Sequence, residues 1–407
     1  MRRGIRRLLA YWRAERRTIA QGFVALLIAT AGSLVAGVVL GKITGTLERL
    51  PGLMVLMPVA IATRGNIFGA MASRLGTSIH SGLFEVSRAR GGVLYENLFA
   101  ATVLTLAISL GGAALARIVA VAFGVTTISL ADLVVISILG GVLSSLFVGA
   151  FALGLSVAAY RREWDLDSVA APLITASGDM FTVPALFAAS FLVGIEGVTV
   201  AVSWALAALA VALTGWGLVF RRTAARRVIR ESLPVLMLAA AADALAGVVV
   251  QSRLDEFAAL PALLMLIPPI LGNAGGLGGM LSSRLASKLH LGALTPRGLP
   301  EAVAFLDFSI ILLTGVLTFP VLGLAAHGLA SVLGLESPGV AATIGITVMA
   351  GLLATLLTAF VAYYAATATY RMGLDPDNLG LPLLTSSMDL LGVVCIVLAV
   401  QTFGVTA

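Results

Sequence analysis

The chain has 407 residues, 59% hydrophobic and only 11% charged, with a formal net charge of +6. Soluble domains carry roughly 25% charged residues, so a water-soluble globule is excluded. A sizeable soluble catalytic or regulatory domain is excluded with it, since the longest polar stretch is an N-terminal run of under 20 residues.

That run, residues 1–19, holds Arg2, Arg3, Arg6, Arg7, Arg13, Arg16 and Arg17 directly before the first apolar stretch. Basic residues so placed read as a juxtamembrane anchor facing anionic lipid, with no nucleic-acid partner expected. The apolar run from Phe23 to Leu40 exceeds the about 7–15 residues of a cleavable signal core, so it reads as a retained first span.

A membrane-crossing helix needs about 20 apolar residues. Eleven stretches qualify, near 20–41, 51–73, 93–124, 131–160, 169–193, 198–220, 232–251, 261–283, 300–333, 340–370 and 379–403. With the N-terminus inside, twenty-one lysines and arginines fall in cytoplasmic segments and only Lys42, Arg49 and Arg253 in external loops. The positive-inside rule then predicts a plasma-membrane protein with a cytoplasmic N-terminus and an extracytoplasmic C-terminus.

Sliding the chain against itself by 210 residues pairs Pro51 with Pro261, Pro58 with Pro268, Gly65 with Gly275, Arg74 with Arg284 and His80 with His290. Without a gap, the same offset pairs Arg161 with Arg371, Pro172 with Pro382, Thr175 with Thr385 and Asp179 with Asp389. This is the signature of a duplicated unit. The expected organisation is a basic segment 1–19, a first membrane repeat 20–197, a linking helix 198–220 with no counterpart, and a second repeat 221–407. Five spans per repeat plus one linking span leave the copies parallel, which predicts a pseudo-twofold axis along the membrane normal.

Ionisable residues inside a span are expensive and mark function by default. Asp179 and Asp389 are repeat mates, and a helix stacks Thr175 over Asp179 and Thr385 over Asp389 at i, i+4. Two carboxylates facing across a twofold axis repel when empty and neutralise a divalent cation. Oxygen ligands without histidine or cysteine suit hard magnesium or calcium, and magnesium keeps much of its water. The competing reading is a pair of structural aspartates.

Pro58 to Gly69 and Pro268 to Gly279 interrupt the second span of each copy, so unwound backbone is expected there, with Asn66 and Asn273 as second ion contacts. Asp243 breaks the symmetry, its mate being Ser33. It reads either as an ion-coupling or proton-relay group or as the ion-pair partner of Arg64, whose mate is Ala274. Asp165, Asp167, Asp375 and Asp377 begin the fifth spans, where acids suit a helix N-terminus. Cys395 reads as a small packed residue, and His80, His290 and His327 are too scattered for zinc.

Four segments carry a family resemblance: Arg64 to Gly82, Gly272 to Gly292, Asp165 to Asp179 and Leu374 to Asp389. They resemble the MgtE-like magnesium channels and transporters, particularly the solute-carrier 41 branch with two fused membrane units. The likeness implies that Asp179 and Asp389, in the Pro-x-x-Thr-x-x-x-Asp pattern, line a central pore and bind magnesium as the transported ion. It also implies that one chain looks like both subunits of the single-unit relatives, a monomer acting as a pseudo-dimer, with a homodimer as a further option. Gly276 stands where Asn66 stands in the first copy, a departure that unsettles symmetric asparagine coordination. The cytoplasmic magnesium-sensing domains of the bacterial channels have no counterpart here, so their gating is not carried over.

The function expected is passage of magnesium, and of other divalent cations, through a pore between two halves, channel-like and not enzymatic. A sodium- or proton-coupled magnesium exchanger using Asp243 is the alternative. An intramembrane aspartyl protease is the distant one, because Ala176-Ser-Gly178-Asp179 nearly matches Gly-x-Gly-Asp.

Overall fold

The structure, a computed structural model, describes residues 2–80, 92–162, 166–195, 197–219, 224–372 and 381–405. Among them there are fourteen helices and no strand. Three are short: α1 (Arg2–Ala14), α3 (Thr44–Arg49) and α10 (Leu254–Ala259). The other eleven are α2 (Arg16–Lys42), α4 (Leu53–His80), α5 (Val93–Ala122), α6 (Leu130–Arg162), α7 (Leu166–Ser190), α8 (Val198–Val219), α9 (Ala224–Gln251), α11 (Pro261–His290), α12 (Ala302–Leu333), α13 (Val340–Met372) and α14 (Leu381–Thr402). All eleven are long and apolar enough to cross a membrane. The all-helical, polytopic reading therefore holds, with ends that differ from the expected spans by a few residues. The acids Asp165, Asp375 and Asp377 lie outside the described residues, as does the side chain of Asp167.

Helix is the only open-ended way to cross hydrocarbon, because each backbone N–H and C=O finds its partner within the segment. What differs among the eleven is burial. The apolar windows of α4 and α11 are 72% and 78% buried, against 17% for α8. Helices α4 and α11 therefore form the centre, and α8 is a peripheral strut against α5 and α6.

The interruption expected at Pro58 and Pro268 does not occur: α4 and α11 run unbroken through Pro58, Pro268 and Pro269. Proline removes the bond to the carbonyl four residues earlier, and neighbouring helices relieve that loss inside a bundle. For Pro58 and Pro269 the orphaned carbonyls are Met54 O and Met265 O. A Cβ built on Gly247 of α9 would lie 2.7 Å from Met54 O, and one built on Gly37 of α2 would run into Met265 O. Only glycine lets the opposing backbone approach this closely. The two contacts are themselves related by the 210-residue offset, Gly37 to Gly247 and Val55 to Met265.

These contacts interlock the chain. Helix α2 packs on α11 and α7, while α9 packs on α4, α5 and α14. The first span of each half thus lies against the second span of the other.

Helix α1, expected only as a basic tail, docks on the second half. Tyr11 Oη donates to Asp307 Oδ1 at 2.8 Å, and Trp12 Nε1 to Ser309 Oγ at 3.0 Å. Arg284 and Lys288 of α11 converge on the same fully buried Asp307, at 2.9 and 2.6 Å, and Arg284 also pairs with Glu15 at 3.2 Å.

Candidate functional site

Asp179 sits midway along α7 and Asp389 midway along α14. In each helix the threonine one turn earlier shares the face, as the i, i+4 spacing demands. Glycines let α4 and α11 come up to these faces: a Cβ on Gly65 would meet Thr175 at 3.7 Å, and one on Gly275 would meet Thr385 at 3.9 Å.

The four side chains open into one cavity of about 70 Å³ between α4, α7, α11 and α14, in which several waters fit. Nineteen residues line it, and sixteen of them form eight pairs 210 positions apart, among them Pro58 and Pro268, Gly65 and Gly275, Thr175 and Thr385, and Asp179 and Asp389. Asp179 is 3% exposed and Asp389 only half-buried. Asp179 lies near enough to Asp389 to be affected by its charge.

A closer look at each carboxylate separates the halves. Ser33 Oγ of α2 donates to Asp179 Oδ2. Gly272 of α11 leaves room for that bond, since a Cβ there would stand 3.1 Å from Asp179 Oδ2 and 3.2 Å from Ser33 Oγ. At the equivalent place in the second half, Asp243 of α9 faces Asp389, with Ser386 beside it. A hydroxyl partner in one half is a carboxyl partner in the other.

Of the expected ion contacts, Asn66 lines the cavity and accepts a hydrogen bond from Thr385 Oγ1 at 3.0 Å. Asn273 is not among the lining residues; its amide donates to Thr30 Oγ1 and to Pro269 O, both at 2.8 Å, which turns it toward α2. Asp243 is 1% exposed and reaches the site through Asp389.

The ion pair between Arg64 and Asp243 does not form. Arg64 points into α5 and α6, where Nη2 donates to Ser109 Oγ at 2.9 Å and Nε to Ser144 Oγ at 3.3 Å. Gly141 keeps that space open, as any Cβ there would collide with the guanidinium. Hydroxyls satisfy this buried cation in part, leaving Nη1 without a partner. Cys395 is buried, as expected of a small packed residue.

Ser33, Gly272, Ser386 and Asp307 escape a reading of motifs. Ser33 was within reach of the repeat itself, because the offset that relates Asp179 to Asp389 also relates Ser33 to Asp243, whereas the mate of Ser386 is Ala176. The long-range contact of Asp307 with Tyr11 has no local signal.

In the network around Asp307 the groups outside the spans titrate accordingly. The hydrogen bond from Arg284 holds the Glu15 carboxyl below its ordinary value, and burial together with the bond to Asp307 pushes the Tyr11 phenol up.

Comparison with known proteins gives a consistent result. The family model MgtE, described as a divalent cation transporter, matches twice, over residues 57–189 and 267–399, two segments of equal length 210 positions apart. The chain is 23% identical over 409 residues to solute carrier family 41 member 3 of Rattus norvegicus, covering 92% of this chain and 85% of that protein. It is 24% identical over 391 residues to solute carrier family 41 member 2 of Gallus gallus, covering 91% and 68%. To the Homo sapiens member 2 it is 23% identical over 409 residues, covering 93% and 69%. No solved structure matches the chain.

Proposed function

Because the chain belongs to the MgtE family of divalent cation transporters, we propose that it passes Mg²⁺ through the cavity between two pseudo-symmetric halves, channel-like, with Asp179 and Asp389 as the central ligands. The observation that carries this reading is the lining itself: residues 210 apart meet around one space, and the charged pair among them is acidic. Membership in a transporter family also replaces the protease reading.

The chemistry suits the ion. Mg²⁺ binds oxygen at about 2.0–2.1 Å, demands near-octahedral geometry and gives up water reluctantly, so it is usually held by one or two carboxylates plus waters. Asp179 and Asp389 supply two negative charges. Thr175, Thr385 and Asn66 offer oxygens around them that orient the retained water. Apolar lining from Met57, Ile61, Ile267 and Leu271 keeps the local dielectric low, which strengthens the attraction of the carboxylates for a dication. Direct coordination by Asn273 has less support, because its amide is engaged on α2.

The test is Asp179→Asn and Asp389→Asn, singly and together, in liposomes with an entrapped magnesium dye and an imposed voltage. Each single variant is expected to lower Mg²⁺ flux about tenfold or more, and the double variant to abolish it. Wild-type flux in a folded double variant rejects the assignment, and uptake that requires an opposing sodium gradient rejects the channel-like mode.

A further inference from the structure

We propose that Arg64 is a fixed counter-charge to the pore, weakening the hold of the carboxylates on Mg²⁺ so that the ion is released. This rests on the pore reading above, because the ion it acts on is the one bound at Asp179 and Asp389.

The residue is costly where it stands. Among the described residues Arg64 is the one buried lysine or arginine, 1% exposed, and it lies midway along a helix long and apolar enough to cross the membrane. No carboxylate answers it. Ser109 and Ser144 accept from Nη2 and Nε, and Nη1 has no partner. A buried charge without a counter-ion is destabilising, and inside a membrane it marks function by default.

Packing does not require it. Shifted by 210 positions, Arg64, Ser109, Gly141 and Ser144 become Ala274, Phe319, Gly351 and Ala354. In the second half the ring of Phe319 lies against Gly351 as the Arg64 guanidinium lies against Gly141 in the first, and a Cβ added to either glycine would collide with it. The same notch is filled by hydrocarbon in one half and by a cation in the other. What distinguishes the first half is charge.

That charge stands within reach of the pore. Gly178, the residue before Asp179, packs so closely on α4 that an added Cβ would lie 3.7 Å from Arg64 Cβ and 3.2 Å from Gly65 N. Gly65 and Asn66 line the cavity while the guanidinium points to α5 and α6, which puts a helix diameter, about 10 Å, between it and the ion. At an effective dielectric of about 20, charges so separated change a binding constant roughly tenfold per unit charge on the ion, and a dication squares the factor. Three carboxyl groups, those of Asp179, Asp389 and Asp243, crowd this place. Such a field attracts a dication and also retains it, whereas passage requires binding weak enough to leave. The guanidinium supplies the weakening without blocking the way, since it lies outside the cavity lining.

The purified full chain in lipid nanodiscs is titrated with Mg²⁺ by calorimetry, and the same variants in liposomes are assayed for Mg²⁺ flux against concentration. Arg64→Gln, which keeps polar atoms near Ser109 and Ser144 but no charge, is expected to bind Mg²⁺ at least tenfold tighter and to reach a maximal flux several-fold lower. Ser109→Asp, which sets a carboxylate beside Nη2, shifts the affinity the same way and serves if Arg64→Gln does not fold. Arg64→Lys keeps the charge and returns both readings toward wild type. A purely structural role predicts weaker or unchanged binding in the folded variants. That outcome, or a tightening in Arg64→Lys equal to that in Arg64→Gln, overturns the counter-charge. Mg²⁺ binding that persists when Asp179→Asn and Asp389→Asn are combined overturns the pore reading instead.

Discussion

Thr385 donates to Asn66 at 3.0 Å, joining α14 to α4 across the wall of the cavity. No equivalent bond can form in the other direction, because Thr175 faces a half in which Gly276 replaces the asparagine. The cavity is therefore symmetric in its carboxylates and asymmetric in the groups around them.

That bond predicts a coupling. Asn66→Ala and Thr385→Val should each lower stability by about 1 kcal/mol, typical of a net hydrogen bond with a buried partner left behind. The double variant should cost less than the sum, by about 0.5–1 kcal/mol in a double-mutant cycle. Thermal unfolding in detergent measures this, and strict additivity would show that the two residues act independently.

Steric closure between the halves predicts a second outcome. Gly37→Leu or Gly247→Leu drives a side chain into the backbone of Met265 or Val55, at a cost of at least the about 1–3 kcal/mol of overpacking. Both should fail to give monodisperse protein by size-exclusion chromatography. Gly45→Ala, at a position with nothing within 4 Å of the added atom, should behave as wild type.

The docked first helix predicts a third. Asp307→Asn withdraws the charge that Arg284 and Lys288 share, both partly exposed at 20% and 23%. A loss of about 1–3 kcal/mol is expected, below the range for fully buried pairs because solvent screens the two cations. Differential scanning fluorimetry checks it, with Arg227→Ala, in a pair exposed on both sides, as the neutral control.

The same latch has a pH signature. Glu15 is held below its ordinary value of 4.5, so its contribution is complete above that pH and is lost as pH falls through the lowered value. Tyr11 is raised above 10.0, so its contribution is complete below that pH and fades as pH rises through the raised value. A spin label at Arg6→Cys in a Cys395→Ala background should report an ordered α1 between these limits and a progressively more mobile one as acid protonates Glu15. Mobility that stays constant across the whole acid titration would separate α1 from the latch.

Much of this was legible from composition and spacing. Spans are strongly determined because hydrocarbon tolerates little else, and the offset of 210 brings Asp179 and Asp389 to notice together. The breaks expected at Pro58 and Pro268 were not realised, since local propensity omits the glycines of opposing helices that accommodate orphaned carbonyls. Arg64 and Asp243 looked like partners because both are unmatched charges, yet they project to different neighbours, and sequence separation holds no information on helix azimuth. Helix α1 was hidden by its arginines, although Leu8, Leu9, Tyr11 and Trp12 supply an apolar and aromatic face that a helical reading would have recovered.

The exchange of first spans, α2 against α11 and α9 against α4, constrains how the molecule can breathe. A clamshell motion that parts the halves would have to unzip both backbone-tight seams together, at Gly37 and at Gly247. The two units are thereby woven into one frame, and severing the chain between α8 and α9 should leave two fragments that are each short of a wall.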